Sequence, residues 1–205
     1  VLLIAEPWVG RYCPTEYSEI GWASWNDRFR NDVKGGDGNA GGYGGSFIYG
    51  KASGSSLKLG VAGTLKKNGG LFMKMEHAIN YLASHDNNSL GDHIRIDSGR
   101  IKPQEEIPGR NVDDMAKLGD RELKINKLGA LILYTSQGGL MILAGQEWAQ
   151  AKVVHPPVPM VDPWAANKAK PWTLDHDSYE KDNETNWLNF KHLKMNIDLA
   201  NYYFG

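Results

Sequence analysis

The chain has 205 residues with Lys+Arg 23 and Asp+Glu 24, a formal net charge of −1, and 41% hydrophobic against 23% charged residues. This is the balance of an ordinary globular chain, and it excludes a polybasic nucleic-acid binder or membrane anchor. The longest apolar stretches, 128–134 and 138–145, fall short of the ~18 residues of a membrane span, and a lone Cys13 offers neither an internal disulfide nor a metal-ligand pattern.

Residues 1–5 are continuously apolar, as a parallel strand buried on both faces would be. Such a strand is cut at its first residue, so the chain is read as a fragment. Glu6-Pro7-Trp8 follows at once, and a carboxylate at the C-terminal end of a parallel strand is where barrel enzymes place chemistry. In the stretch 21–30 the first half reads as a short strand and the second half as polar and turn-forming. Glycines at 35, 36, 38, 41, 42, 44, 45 and 50 predict a long loop. Residues 57–78 read as a helix-bearing connection with a turn at 66–70. A second strand is predicted over 78–84, ending at His85-Asp86-Asn87-Asn88, then a polar loop over 91–110. Residues 111–134 read as a helix with Ile125, Leu128, Gly129 and Ile132 on one face. A third strand, 138–144, runs into Gly145-Gln146-Glu147-Trp148. Prolines 156, 157, 159, 163 and 171 mark a long loop over 151–186, and 187–204 closes the chain as a helix.

Strands alternating with helices, with polar clusters after each strand, predict a parallel α/β sheet with an active-site rim. A complete barrel takes ~250 residues, so about four strand positions in this length read as half a barrel with long loops. The fold class is therefore α/β, a partial (β/α)8 barrel holding roughly the fifth to eighth strands in a single domain.

The candidate chemistry follows from residue types. Glu6 beside Trp8 at a strand mouth reads equally as an acid with a desolvation-raised pKa and as a strand-end partner for an arginine. His85-Asp86-Asn87 would hydrogen-bond sugar hydroxyls, although Asp and Asn are also common turn residues. The residues 77, 85 and 93 are histidines eight apart, a spacing no metal site requires. Gly45-x4-Gly50-Lys51 is rejected as a phosphate loop, because Ala52 stands where Ser or Thr would hold Mg²⁺. Among Trp8, Trp22, Trp25, Tyr43, Trp148, Tyr179 and Trp187, two or three are expected on ligand and the rest as packing anchors.

Five ordered blocks carry a family resemblance. Leu3-Ile4-Ala5-Glu6-Pro7-Trp8, Trp25-Asn26-Asp27-Arg28-Phe29-Arg30-Asn31-Asp32-Val33-Lys34-Gly35, Tyr81-Leu82-Ala83-Ser84-His85-Asp86-Asn87, Ala144-Gly145-Gln146-Glu147-Trp148 and the stretch from Asp177 to Trp187 resemble, in order, segments of the pullulanase and glycogen-debranching branch of the alpha-amylase superfamily. The resemblance implies a retaining glycoside hydrolase acting on α-1,6-glucosidic branch links in pullulan, glycogen or amylopectin. It makes Glu6 the general acid/base and Asp86 the second carboxylate, which holds sugar hydroxyls and stabilises the transition state. His85 would bond the same glucose unit, with Asn87, Trp8, Tyr179 and Asp182 lining neighbouring subsites. No cofactor is expected; calcium is left open, with no ligand in this sequence assigned to it. The expected partner is an α-glucan, with no nucleic acid and no membrane segment. The compartment is left open between cytoplasmic and secreted or periplasmic, for a soluble protein.

The family's nucleophile, an Asp two residues after an Arg on the fourth strand, has no counterpart before Glu6, so this chain alone is expected to be inactive. Two alternatives accompany the leading reading: an α-1,4-acting amylase, neopullulanase or transglycosylase of the same superfamily, and a non-catalytic glucan-binding remnant.

Overall fold

The structure is a computed structural model describing residues 2–37, 43–44, 46–156, 170–176, 178–179 and 181–205. The chain folds as two compact units, one of residues 1–82 with 128–142 and one of 83–127 with 143–205. Among the described residues, no helix is long and apolar enough to cross a membrane.

The first unit is built on a four-stranded parallel sheet. Its strands are β1 (Ile4–Ala5), β2 (Ala23–Trp25), β5 (Ala78–Asn80) and β6 (Gly139–Leu140), in that spatial order. The register pairs Ile4 with Ala23, Ser24 with Ala78 and Ile79 with Gly139. Parallel pairing needs crossovers, and helices α1 (Pro14–Glu19), α2 (Asp27–Val33) and α3 (Gly54–Val61) lie in them. Between α2 and α3, β3 (Gly36–Asp37) and β4 (Tyr43–Gly44) pair antiparallel. The glycine-rich stretch therefore contains a small ladder where a featureless loop was expected.

Helix α2 replaces the turn expected after Trp25. Asn26 caps it, its side-chain oxygen accepting from the Phe29 N–H at 3.1 Å, which satisfies one of the free donors at a helix start. Phe29 and Val33, one turn apart, are its buried residues along with Asp27. Gly60 on α3 lets the two helices approach, since a Cβ there would stand 3.1 Å from the Phe29 ring.

Residues 1–5 depart from the expected doubly buried strand. Val1 lies outside the described residues, and β1 is an edge strand paired only with β2 among them. Its side chains are open, with Leu2 62%, Leu3 44% and Ile4 48% exposed. The run's apolar character reports what it can pack against, and among the described residues β2 is the strand that pairs with β1.

The second unit is helical, with α4 (Leu90–Asp97), α5 (Val112–Ala116), the N-terminal half of α6 (Asp120–Thr135), α7 (Phe190–Met195) and α8 (Ile197–Phe204). Leu90, Ile94, Ile107, Leu199 and Ala149 form its dry centre. Helix α4 falls where a polar loop was expected. Its polar residues Asp92, His93 and Arg95 are fully buried, so composition misled: charges that neutralise one another inside a protein look like surface. The helix expected over 111–134 is two helices, and so is the one over 187–204. At the second break Asn196 donates to the Ala116 and Trp148 carbonyls, at 3.0 Å each, and accepts from the Leu118 N–H at 2.9 Å. On α6 the buried residues include Glu122, Asn126, Ala130, Ile132 and Leu133. Of the predicted stripe Gly129 and Ile132 are buried while Ile125 and Leu128 are half-buried, and the buried face extends to Glu122, which Ser98 and Arg100 draw inward.

Candidate functional site

In a parallel sheet all strand C-termini share one edge, and the residues just beyond them are the natural place for ligand chemistry. Glu6 stands directly after β1 on that edge, and its backbone carbonyl accepts from the Trp8 N–H at 2.9 Å. The Glu6 side chain is exposed, so Trp8 does not cover it. The reason is the hairpin that follows. Trp8 and Tyr12 pair as an antiparallel bridge around Gly10 (φ +71°), and their rings meet at 5.4 Å. Trp8 thus packs on Tyr12 and keeps 54% of its surface open.

Tyr12 anchors the hairpin to the sheet. Its hydroxyl donates to the Trp25 carbonyl at 3.0 Å and accepts from the Asp27 N–H at 2.9 Å. Burial, with the charge of Asp27 adding to it, pushes the phenol further up, so it stays neutral. Beyond β2 and β5 on the same edge, Asp27, Arg30 and Tyr81 form a compact polar cluster against the Trp25 ring.

The second unit carries the other predicted residues. His85 Nε2 lies 3.5 Å from the Asp86 carboxylate, both side chains partly open to solvent. The His85 ring faces that of Tyr179 at 6.1 Å. Asn87 takes a left-handed conformation at φ 63°, which Asn tolerates better than most residues, and this bends the chain back after Asp86. Tyr179 and Asp182 are exposed on the loop before α7. His85, Asp86, Asn87 and Tyr179 are thus neighbours around one turn. Asp177 and Glu180 of the predicted block lie outside the described residues, as do residues 38–42 and the 157–169 part of the long loop.

Of the seven aromatic candidates, Trp8, Tyr179 and Trp187 are open, at 54%, 54% and 61%. Trp148 is buried and stacks on Phe190 at 6.0 Å. Trp25 and Trp22 pack on Tyr81 and Tyr17. The side chain of Tyr43 lies outside the described residues.

The chain resembles three solved structures along nearly its whole length. These are the pullulanase from Bacillus acidopullulyticus (TM-score 0.71, 19% identity, 99% of this chain and 21% of that one), the Paenibacillus barengoltzii pullulanase in complex with maltohexaose and alpha-cyclodextrin (0.69, 23%, 99% and 28%), and the catalytic module of the glycogen-degrading pneumococcal virulence factor SpuA (0.70, 18%, 100% and 31%). It shares its fold with pullulanases. The chain spans 21% to 31% of the length of these three proteins, and at such identities the likeness is one of fold. No known protein-family profile matches it.

Sequence reasoning missed Lys152, Asp92 and Arg95, the residues beneath the His85–Asn87 turn. The Asp92–Arg95 ion pair is 2.9 Å long with both side chains fully buried. Arg95 also donates to the carbonyls of Met115 at 3.1 Å, Ala149 at 2.6 Å and Ala116. Burial pulls both groups towards their neutral forms, and their mutual attraction opposes it. Lys152 lies in a stretch read as loop, and no periodicity marks it.

Proposed function

We propose that this chain is part of a retaining glycoside hydrolase that cleaves α-1,6-glucosidic links in a branched α-glucan, and that it holds the later strands of a (β/α)8 barrel. The observation that supports this best is the placement of Glu6 immediately after a parallel strand, in a chain whose entire length follows the pullulanase fold. A catalytic carboxylate belongs at that position in a barrel enzyme.

In this reading Glu6 carries the proton. As a carboxylic acid it donates to the glycosidic oxygen as the C–O bond breaks, and as a carboxylate it then takes a proton from the attacking water. Asp86 accepts hydrogen bonds from hydroxyls of the glucose unit undergoing reaction, and these bonds strengthen as positive charge develops at C1. His85 donates to the same unit. Asn87, Trp8, Tyr179 and Asp182 line adjoining subsites, the exposed rings of Trp8 and Tyr179 offering faces on which a pyranose stacks. The retaining reaction also needs a carboxylate nucleophile ~5–5.5 Å from the acid, and we assign none of the residues of this chain to that role. The chain alone is accordingly proposed to be inactive.

The test is a pullulan digest by the full-length natural protein, with the 205-residue chain assayed beside it. Maltotriose from the full-length protein, and none from the chain alone, supports the reading. Panose or longer α-1,6-containing products move it to an α-1,4-acting relative. Binding of maltotriose without hydrolysis moves it to a glucan-binding protein. Hydrolysis by the chain alone overturns the proposal that none of its residues is the nucleophile.

A further inference from the structure

Lys152 joins three segments through three different atoms. Its buried Nζ donates to the carbonyl of His85 at 3.2 Å and to that of Asn87 at 3.0 Å. Its backbone N–H donates to the Asp92 carboxylate at 2.9 Å. Its carbonyl accepts from the Asp175 N–H at 2.9 Å, opening a short antiparallel ladder in which Val153 pairs with Leu174, Val154 N–H donates to Thr173, and Trp172 N–H donates to Val154.

We propose that Lys152 is a positioning residue, which fixes the His85-Asp86-Asn87 turn and the Tyr179 loop relative to each other. The proposal rests on the reading of Asp86 and His85 as glucan-binding groups. The physical argument concerns the turn itself. The carbonyls of His85 and of the left-handed residue Asn87 both point inward to Lys152, and an inward carbonyl without a donor is costly. An ammonium provides three charge-assisted donors at one point. By clamping the carbonyls on either side of Asp86 it removes rotational freedom from the residue between them.

Lys152 is held in turn from below. The Asp92 carboxylate that receives its N–H also accepts from Ser89 Oγ at 2.9 Å and pairs with the fully buried Arg95. On the far side, the 172–175 ladder runs into the buried Asp175–Lys181 ion pair, 2.6 Å long, and this closes the loop bearing Tyr179. Asp86 and Tyr179 thus share one foundation although 93 positions separate them. The clamp acts on main-chain atoms and leaves the sugar-facing side chains untouched.

The experiment compares Lys152→Met and Lys152→Arg with the unaltered full-length protein. Met matches the stem and has no donors, whereas Arg keeps a charge but spreads its donors over a larger plane. Amide hydrogen exchange at residues 86–88 is expected to accelerate at least tenfold in Lys152→Met and less in Lys152→Arg. Maltotriose titration is expected to show at least tenfold weaker affinity in Lys152→Met at unchanged stoichiometry. A merely structural role would instead lower the stoichiometry, through a smaller folded fraction, and leave the affinity of the remainder unchanged. Unchanged exchange at 86–88 in either folded variant overturns the proposal, so a failure of Lys152→Met to fold leaves Lys152→Arg to decide. Accelerated exchange in a protein that neither binds maltotriose nor cuts pullulan would uphold the clamp and overturn the glucan reading instead.

Discussion

The Tyr81 hydroxyl donates a 2.6 Å hydrogen bond to the buried Asp27 carboxylate. The same oxygen accepts from Arg30 Nη1 at 2.8 Å, and the Arg30 guanidinium also lies 3.3 Å from Asp27. Asp27 and Arg30 thereby neutralise each other, with the Tyr81 hydroxyl bonded to both, just beyond two neighbouring parallel strands. Burial drives the Tyr81 phenol far above its ordinary range, so it acts only as a neutral donor and acceptor.

Tyr81→Phe removes that hydroxyl and leaves Asp27 short of a donor. The expected loss is roughly 1–3 kcal/mol, the cost of an unsatisfied buried partner. Urea unfolding of the full-length protein measures it as a lower midpoint at constant slope. An unchanged midpoint would mean that water replaces the phenol at no cost.

Arg95→Met strands the Asp92 carboxylate in a dry site. We expect roughly 3–5 kcal/mol of destabilisation. The double variant Asp92→Asn with Arg95→Met is expected to recover part of it, since no buried charge then remains. A double-mutant cycle on the denaturation midpoints gives the coupling, and additive losses would refute it.

His192 sets a pH dependence. It is buried in the second unit, 3.4 Å from the Asp113 carboxylate. Desolvation first, and the charge of Arg95 second, push its pKa down to about 4 from 6.5. Between those values the unfolded chain binds a proton there and the folded chain does not. Stability from this group is therefore full above pH 6.5, falls as pH drops from 6.5 towards 4, and levels off below. The total is about 3–4 kcal/mol. His192→Gln is expected to flatten the midpoint-against-pH curve in that window, and an unaltered slope would place its origin elsewhere.

Glu6→Gln keeps the shape of the acid and removes its proton transfer. Under the proposed function kcat for pullulan falls by about 10²–10⁴-fold with maltotriose affinity retained. Asp86→Asn is expected to lower both kcat and affinity, because Asp86 touches the sugar throughout. Retained turnover in Glu6→Gln would remove Glu6 from the acid role.

The places of the parallel strands along the chain were legible from short apolar runs ended by turn residues. So was the position of Glu6 after the first strand, because an apolar run broken by a charge marks a strand end. Helix α4 was not legible. Its Asp92, His93 and Arg95 look solvent-facing by type, and only packing shows that Arg95 finds an anion and three carbonyls inside.

By itself, then, the sequence determined the α/β character, the positions of the strands along the chain and the residue types offered at the strand ends, since these follow from local periodicity. Only the tertiary structure decided that β1 pairs with β2, that Trp8 packs on Tyr12, and that Lys152 clamps the turn around Asp86. Each of these depends on partners distant along the chain, and backbone carbonyls, the groups Lys152 binds, carry no signature in the amino-acid code.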